Sequence, residues 1–414
     1  MDINSRLTEI IQQHPDNFVD FLENNYQLTV KQPDGEDSVT LQDSSIDKTE
    51  TSDDQTRIDG RVLIRYHRNK CDMTDPFVQQ CRGIVWDIDK CQTVCRSFTT
   101  RHPYDSQLFN STTSEVTEII DGTMVNLYYY QGEWKLSTKG CLDANTAFWS
   151  SNFSFGELFQ QVWSIDSQVL NPKYCYSFVL SHPDNRIVTN VDQANLYLIQ
   201  VTDPTDDKCY RPYHGMSTTP DWLPNTGSFK FPQRHSPANI TKLETSISDL
   251  TYEHPGYMIF CDNGVRMRLD NPKYQRVISL RGNTPNRFLN MLKLGKHSPD
   301  SNSVIDEYLG YYPEETEIWE RLEILTRRCL GSLLYYYNRV MKQRKYTLIP
   351  IHLRHAIHTL HDIYRNKKAT DTNPFRITHR VIKGYFHRLP THQQNTILCR
   401  HEEWLHTQEM ESVF

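Results

Sequence analysis

The spacing of apolar residues changes once along this chain, near Pro285, and that change constrains the architecture more than any other feature. Before it, apolar residues alternate in short runs divided by turn signals. Runs 123–130 and 133–137 flank Gln131-Gly132, and runs 256–261 and 265–269 flank Asp262-Asn263-Gly264. Both pairs read as β-hairpins. Residues 174–180, 186–189 and 195–202 read as further strands. After Pro285 the period lengthens. Phe288, Met291 and Leu292, then Trp319, Leu322 and Leu325, then Leu353, Ile357, Leu360 and Ile363 recur at three- and four-residue steps. Those are amphipathic helices. A helical pattern (Leu7, Ile10, Ile11, Phe18, Phe21, Leu22) also opens the chain. The prediction is a mixed β-rich domain followed by an all-helical one, with no internal repeat.

Charge is divided as sharply as periodicity. Residues 33–56 hold eight acids against Lys48 alone, and the formal charge of the whole chain is −6. Such a Ser/Thr/Asp-rich stretch reads as a disordered acidic loop that offers a protein partner a docking segment. Between Glu320 and Arg400, 16 Lys/Arg face 4 Asp/Glu. A field of that sign attracts RNA, and Arg344, Lys345, Lys367, Lys368, Arg376, Arg380 and Lys383 are the candidates for backbone contact. A solvated helical surface is the plainer alternative.

Several classes fall away. The start, Met1-Asp2-Ile3-Asn4, is acidic and no apolar run follows, so no signal peptide is expected. No run reaches the roughly 18 apolar residues of a membrane span. The expectation is a soluble cytoplasmic protein, and the polar, glycine-poor composition suits a viral or lower-eukaryotic one. Cys91 and Cys95 lack the tighter paired spacing of zinc ligands, so the cysteines read as free thiols. His352, His355, His358 and His361 form a row at intervals of three with no Cys or acid cluster beside it, and read as solvated or RNA-facing. Neither a metal nor a cofactor is expected.

Six short pieces stand in a specific order. They are Arg82-Gly83-Ile84-Val85-Trp86-Asp87, Ile119-Ile120-Asp121-Gly122-Thr123, Ser137-Thr138-Lys139-Gly140, the stretch 178–188, Pro255-Gly256-Tyr257-Met258-Ile259 and the stretch 266–274. Together they resemble phage-type ATP-dependent RNA ligases, within the covalent nucleotidyltransferase superfamily that includes DNA ligases and mRNA capping enzymes. The likeness spans roughly residues 57–281. It implies an α+β fold: a nucleotidyltransferase (adenylyltransferase) domain of mixed antiparallel sheets with flanking helices, followed by an all-helical C-terminal domain. The expected divisions are a helical cap at 1–32, the acidic loop at 33–56, the nucleotidyltransferase-like domain at 57–284 and a basic helical domain at 285–414.

The family's chemistry starts with a lysine in K-x-D-G that attacks the α-phosphate of ATP. Glutamates then handle ribose and metal, and late lysines neutralise phosphate. Here the nucleophile position is Ile119, the glutamate positions are Val179 and Pro255, and the late lysine pair is Arg268 and Asp270. An upstream lysine falls at Thr100. These departures predict a protein that is not an enzyme and has no catalytic residue. They leave a binding module for an RNA 5′ end or mRNA cap, with a place in translation or RNA processing. Candidate contacts are Arg82, Trp86, Asp121, Tyr128, Lys139, Arg186, Tyr257, Arg266, Arg268, Asp270 and Tyr274. Asp270 beside aromatic rings would suit a cationic methylated guanine. An atypical active RNA ligase or end-modifying enzyme, or a protein-interaction scaffold, are the competing readings.

Overall fold

A computed structural model describes residues 3–33, 59–165, 169–206, 208–213, 223, 229–295, 301–344, 349–370 and 375–411. The acidic segment expected at 33–56 lies, but for Pro33, outside the described residues, as does Lys345. Two helices open the chain, α1 (Ile3–Gln13) and α2 (Phe18–Tyr26). The first sheet holds β1 (Thr29–Lys31), β2 (Arg61–Arg65), β3 (Arg82–Asp87) and β4 (Gln92–Cys95), side by side in chain order and antiparallel. A short helix, α3 (Pro76–Gln80), precedes β3 and is capped by the Asp75 carboxylate, which accepts from the Phe77 amide. Ile3, Leu7, Ile10 and Leu22 pack with Val62, Ile64 and Trp86 in one apolar cluster. The N-terminal helices therefore share the first sheet's core.

Further strands follow: β5 (His102–Pro103), β6 (Glu115–Glu118), β7 (Thr123–Tyr130), β8 (Glu133–Thr138), β9 (Cys175–Ser181), β10 (Asn195–Thr202), β11 (Cys209–Tyr210), β12 (Arg234–His235), β13 (Gly256–Phe260) and β14 (Arg266–Asp270). The second sheet runs β11-β10-β9-β7-β8 and the third β12-β6-β13-β14-β5. All their pairings are antiparallel except β14 with β5. Both predicted hairpins form. Gln131 and Gly132 turn at φ 50° and 93°, the left-handed pair that matches strand twist. One face of the second sheet packs on α4 (Phe155–Val162), whose Ser154–Glu157 capping box fixes its start. The third sheet packs on α5 (Ile240–Ser246) through Val116, Ile240, Tyr257, Ile259 and Met267.

Residues 186–189 are not a strand. The Asp121 carboxylate accepts from the backbone amides of Val188 (2.9 Å) and Thr189 (2.7 Å), and those amides are then unavailable to a sheet ladder.

Helices fill the remainder: α6 (Pro272–Arg281), α7 (Arg287–Leu294), α8 (Ser301–Tyr311), α9 (Thr316–Tyr337), α10 (Ile351–Thr370), α11 (His379–Arg388) and α12 (Thr391–Glu411). The chain divides into two compact units, Met1–Ile278 and Ser279–Phe414. The division falls within α6, a few residues before the change in periodicity at Pro285. No helix among the described residues is long and apolar enough to cross a membrane.

Candidate functional site

Strand alternation builds a cavity of about 290 Å³ in the first unit. On β13, Met258 and Phe260 face it while Tyr257 and Ile259 enter the apolar core behind. Across the ladder, Arg268 pairs with Met258 and Arg266 with Phe260, so both arginines face the same way while Met267 is core. The wall is completed by Arg82 at the start of β3, Phe98, Arg101, the turn 119–122, Val179 of β9, and Tyr274 of α6.

Five arginines line the cavity, Arg82, Arg101, Arg211, Arg266 and Arg268, against two acids, Asp121 and Glu118, the latter accepting from the Gln233 amide at 2.8 Å. Arg266 is 5% exposed, its Nη2 donates to the Thr99 carbonyl at 2.7 Å, and its guanidinium lies 4.4 Å from the centre of the Phe98 ring. Its Nε, and the Nη1 of Arg82, are buried with no hydrogen-bond partner among the described residues. Burial, then the charges of Arg82 and Arg101, hold the Arg266 guanidinium well below the ordinary arginine value. Burial also lowers Arg82.

Lys139 follows β8, and the backbone of Gly83 (φ 80°) runs against it so tightly that a Cβ there would lie 2.7 Å from the Lys139 carbonyl. Its amine is pushed down to about 8 by burial first and then by Arg82, Arg101, Arg68 and Arg65. The amine sits 5.4 Å from the centre of the Tyr66 ring.

Acids near the cavity are already engaged. Besides the two amides, Asp121 accepts from the Tyr274 hydroxyl at 2.7 Å, so it braces the 186–189 segment. Asp270 pairs with Arg268 and accepts from Gln275 Nε2 at 2.7 Å. Arg211, which also lines the cavity, is tied to Glu115 at 2.8 Å.

The structure thus gathers Arg82, Asp121, Arg266, Arg268 and Tyr274 around one cavity, with Lys139 beside Arg82 and Asp270 on Arg268. It does not bring the other candidates there. Trp86 and Tyr128 are 0% exposed, Trp86 under α1 and α2 and Tyr128 in the core shared by the first two sheets. The Tyr128 hydroxyl accepts from Arg61 at 2.7 Å. Tyr257 faces the opposite side of β13, against His235 and His254. The Arg186 side chain folds back onto the Val188 carbonyl at 3.2 Å. Three of the four aromatic rings expected around a methylated base are therefore elsewhere.

Phe98 and Arg101 were not anticipated. Thr100, taken as the upstream lysine position, is buried and bonded to the Tyr66 hydroxyl at 3.1 Å, while the next residue carries the cation. Ile119 and Val179 do line the cavity; Pro255 does not.

The resemblance implies a divalent cation held by glutamates. Val179 and Pro255 supply no side-chain oxygen, and no group of three or more His, Cys, Asp or Glu among the described residues is placed to hold a metal. The donors do not fit such an ion.

In the helical unit, Lys367 and Lys368 end α10, Arg380 and Lys383 lie on α11, and Arg344 and Arg376 lie between helices, all exposed. The histidine row splits. His352 bonds to the buried His401 at 3.0 Å and His361 stacks on Tyr364, whereas His355 and His358 are exposed.

No family model matches the chain. An RNA ligase of Rhodothermus phage RM378 is 33% identical over 108 residues, covering 23% of this chain and 24% of the relative. A protein of Autographa californica nuclear polyhedrosis virus, named as a bifunctional polynucleotide kinase/RNA ligase, is 23% identical over 280 residues, covering 61% and 37%. The chain is RNA ligase-like. It spans about a quarter of the length of the first of these relatives and under two fifths of the second. Among solved structures, an archaeal ATP-dependent RNA ligase overlaps 64% of this RNA ligase-like chain and 65% of its own, at 11% identity and a TM-score of 0.35.

These relatives overturn one expectation. They are named as ligases, which are enzymes, whereas the replaced motif positions predicted a protein that is not one. The prediction treated the loss of an amine at position 119 as the loss of the chemistry. It counted Lys139 as a binding contact and not as a nucleophile, yet that amine is easier to deprotonate than an ordinary lysine.

Proposed function

We propose that this RNA ligase-like chain holds the phosphate-bearing 5′ end of an RNA in the arginine-lined cavity. One observation carries the reading. Four guanidinium groups, those of Arg82, Arg101, Arg266 and Arg268, line one cavity large enough for a ligand. Like charges gathered in one place repel, and a phosphate offsets them with charge-assisted bonds. A phosphate fits these donors better than a methylated cap base, since Trp86, Tyr128 and Tyr257 do not reach the cavity.

Fluorescence anisotropy at fixed salt tests this with one labelled RNA ending in a 5′-phosphate, a 5′-hydroxyl or a methylated cap. The 5′-phosphate form should bind about tenfold tighter than the 5′-hydroxyl form, the scale of one charge-assisted bond. Arg266→Met should remove most of that margin. Equal binding of the two ends, or preference for the cap alone, would overturn the reading.

A second reading concerns catalysis and rests on the place of Lys139, packed against Gly83 next to Arg82 of the cavity with its amine over the Tyr66 ring, and on the ease with which that amine loses its proton. Its Nζ would attack the α-phosphorus of a nucleoside triphosphate. A P–N bond forms, the P–O bond to pyrophosphate breaks, and the amine proton passes to solvent. The surrounding arginines would offset charge on the departing pyrophosphate. Transfer of label from [α-³²P]ATP to the wild-type chain but not to Lys139→Met supports it, and no label on the wild type ends it.

A further inference from the structure

The helical unit contains a second cavity of about 290 Å³, bounded by α7, α9, α11 and the start of α12. Its floor is apolar: Met291, Leu322, Leu330 and Phe386 are buried there. Trp319, half-buried on α9, forms part of the wall. It makes no ring contact with another aromatic residue among those described, unlike Trp404, which stacks on His401 at 5.4 Å. An indole face is therefore left without an aromatic neighbour beside an apolar slot.

The rim has the opposite character. Arg327 and Lys383 are exposed at its edge with His379, against a single acid, Glu323. Lys383 recurs four residues after His379 on α11, so both stand on one side of that helix. Helix α11 carries no acid at all.

We propose that this cavity takes one unstacked base of single-stranded RNA against Trp319, with the flanking phosphate on Lys383 and Arg327. Charge complementarity selects the occupant: an apolar slot with a cationic rim matches a flat, uncharged base joined to an anion. An apolar peptide would leave the rim unpaired. Bases splayed from single strands stack on aromatic side chains in this way. The inference rests on the reading that this chain binds RNA, but uses none of the residues of the arginine-lined cavity.

The test uses the full chain and a labelled oligouridylate ending in a 5′-hydroxyl, compared with an abasic strand of equal length and charge. The strand with bases should bind about tenfold tighter, the order expected for one stacked base. Trp319→Leu should bring that ratio close to one. Thr326→Trp, which fills the cavity from a half-buried position, should do the same and serves where the first variant does not fold. Lys383→Glu, at an exposed site, should weaken both strands equally and flatten the dependence on salt. A ratio near one in the wild type, or an unchanged ratio in either folded cavity variant, would overturn the proposal. The 5′-phosphate preference is read separately with the same proteins, and its survival in those variants separates failure here from failure of the first cavity.

Discussion

Lys139 shows what a single residue contributes when its neighbours share its charge. Burial and four arginines bring its amine to about 8. An unfolded lysine titrates near 10.4. Between those values the folded chain holds fewer protons than the unfolded one, so stability rises with pH across that window. Below about pH 8 both states are protonated and the penalty is fully present; above about 10.4 it is gone. Lys139→Met should therefore raise the melting temperature at pH 7 and lose that advantage by pH 10.5. Thermal melts of both proteins across this range check it, and a constant difference would mean the arginine crowd is not felt. Other residues were legible to different degrees. The alternation Arg266-Met267-Arg268 already separated cavity from core, and by the same parity Tyr257 should have been assigned to the core beside Ile259. Trp86 could not be placed that way, because nearly all of β3 is buried and two cores compete for its side chains. Tyr128 shares the parity of Met124, but four residues further along β7 the strand runs beneath the first sheet.

At the scale of elements, the hairpins and helices were readable because their signals are local. Gln131-Gly132 and Asp262-Asn263-Gly264 each turn a strand within a few residues. The segment 186–189 was misread because its backbone amides are claimed by a carboxylate more than sixty positions away. Asp121 binds this segment to α6 through Tyr274. Three bonds to one carboxylate, two from backbone and one from a hydroxyl, make Asp121→Ala costly, about 2–4 kcal/mol by typical values for such bonds. Tyr274→Phe removes only one of the three and should cost about 1.5 kcal/mol, the low end for a bond to a charged group. Urea unfolding followed by circular dichroism measures both. A loss for Asp121→Ala no larger than that for Tyr274→Phe would mean that the carboxylate does not organise the segment.

Over the whole molecule, net charge conceals the field an RNA would meet. The chain is −6 overall, yet residues 34–56 alone contribute −7, so a variant without them stands near +1. The stretch from Glu320 to Arg400 keeps its excess of twelve positive charges in either form. Electrostatic attraction acts beyond contact distance and is screened over roughly 10 Å at 0.1 M salt. Deleting residues 34–56 should therefore strengthen binding of an unselective RNA at 50 mM salt and change it little at 500 mM. The 5′-phosphate preference should change little at either, because the two ligands differ only at one terminus and share the rest of their charge. Anisotropy titrations of the two proteins at both salts decide the matter. Equal gains at low and high salt would point to steric competition for the RNA site, and no gain at either would leave the acidic segment without influence on RNA.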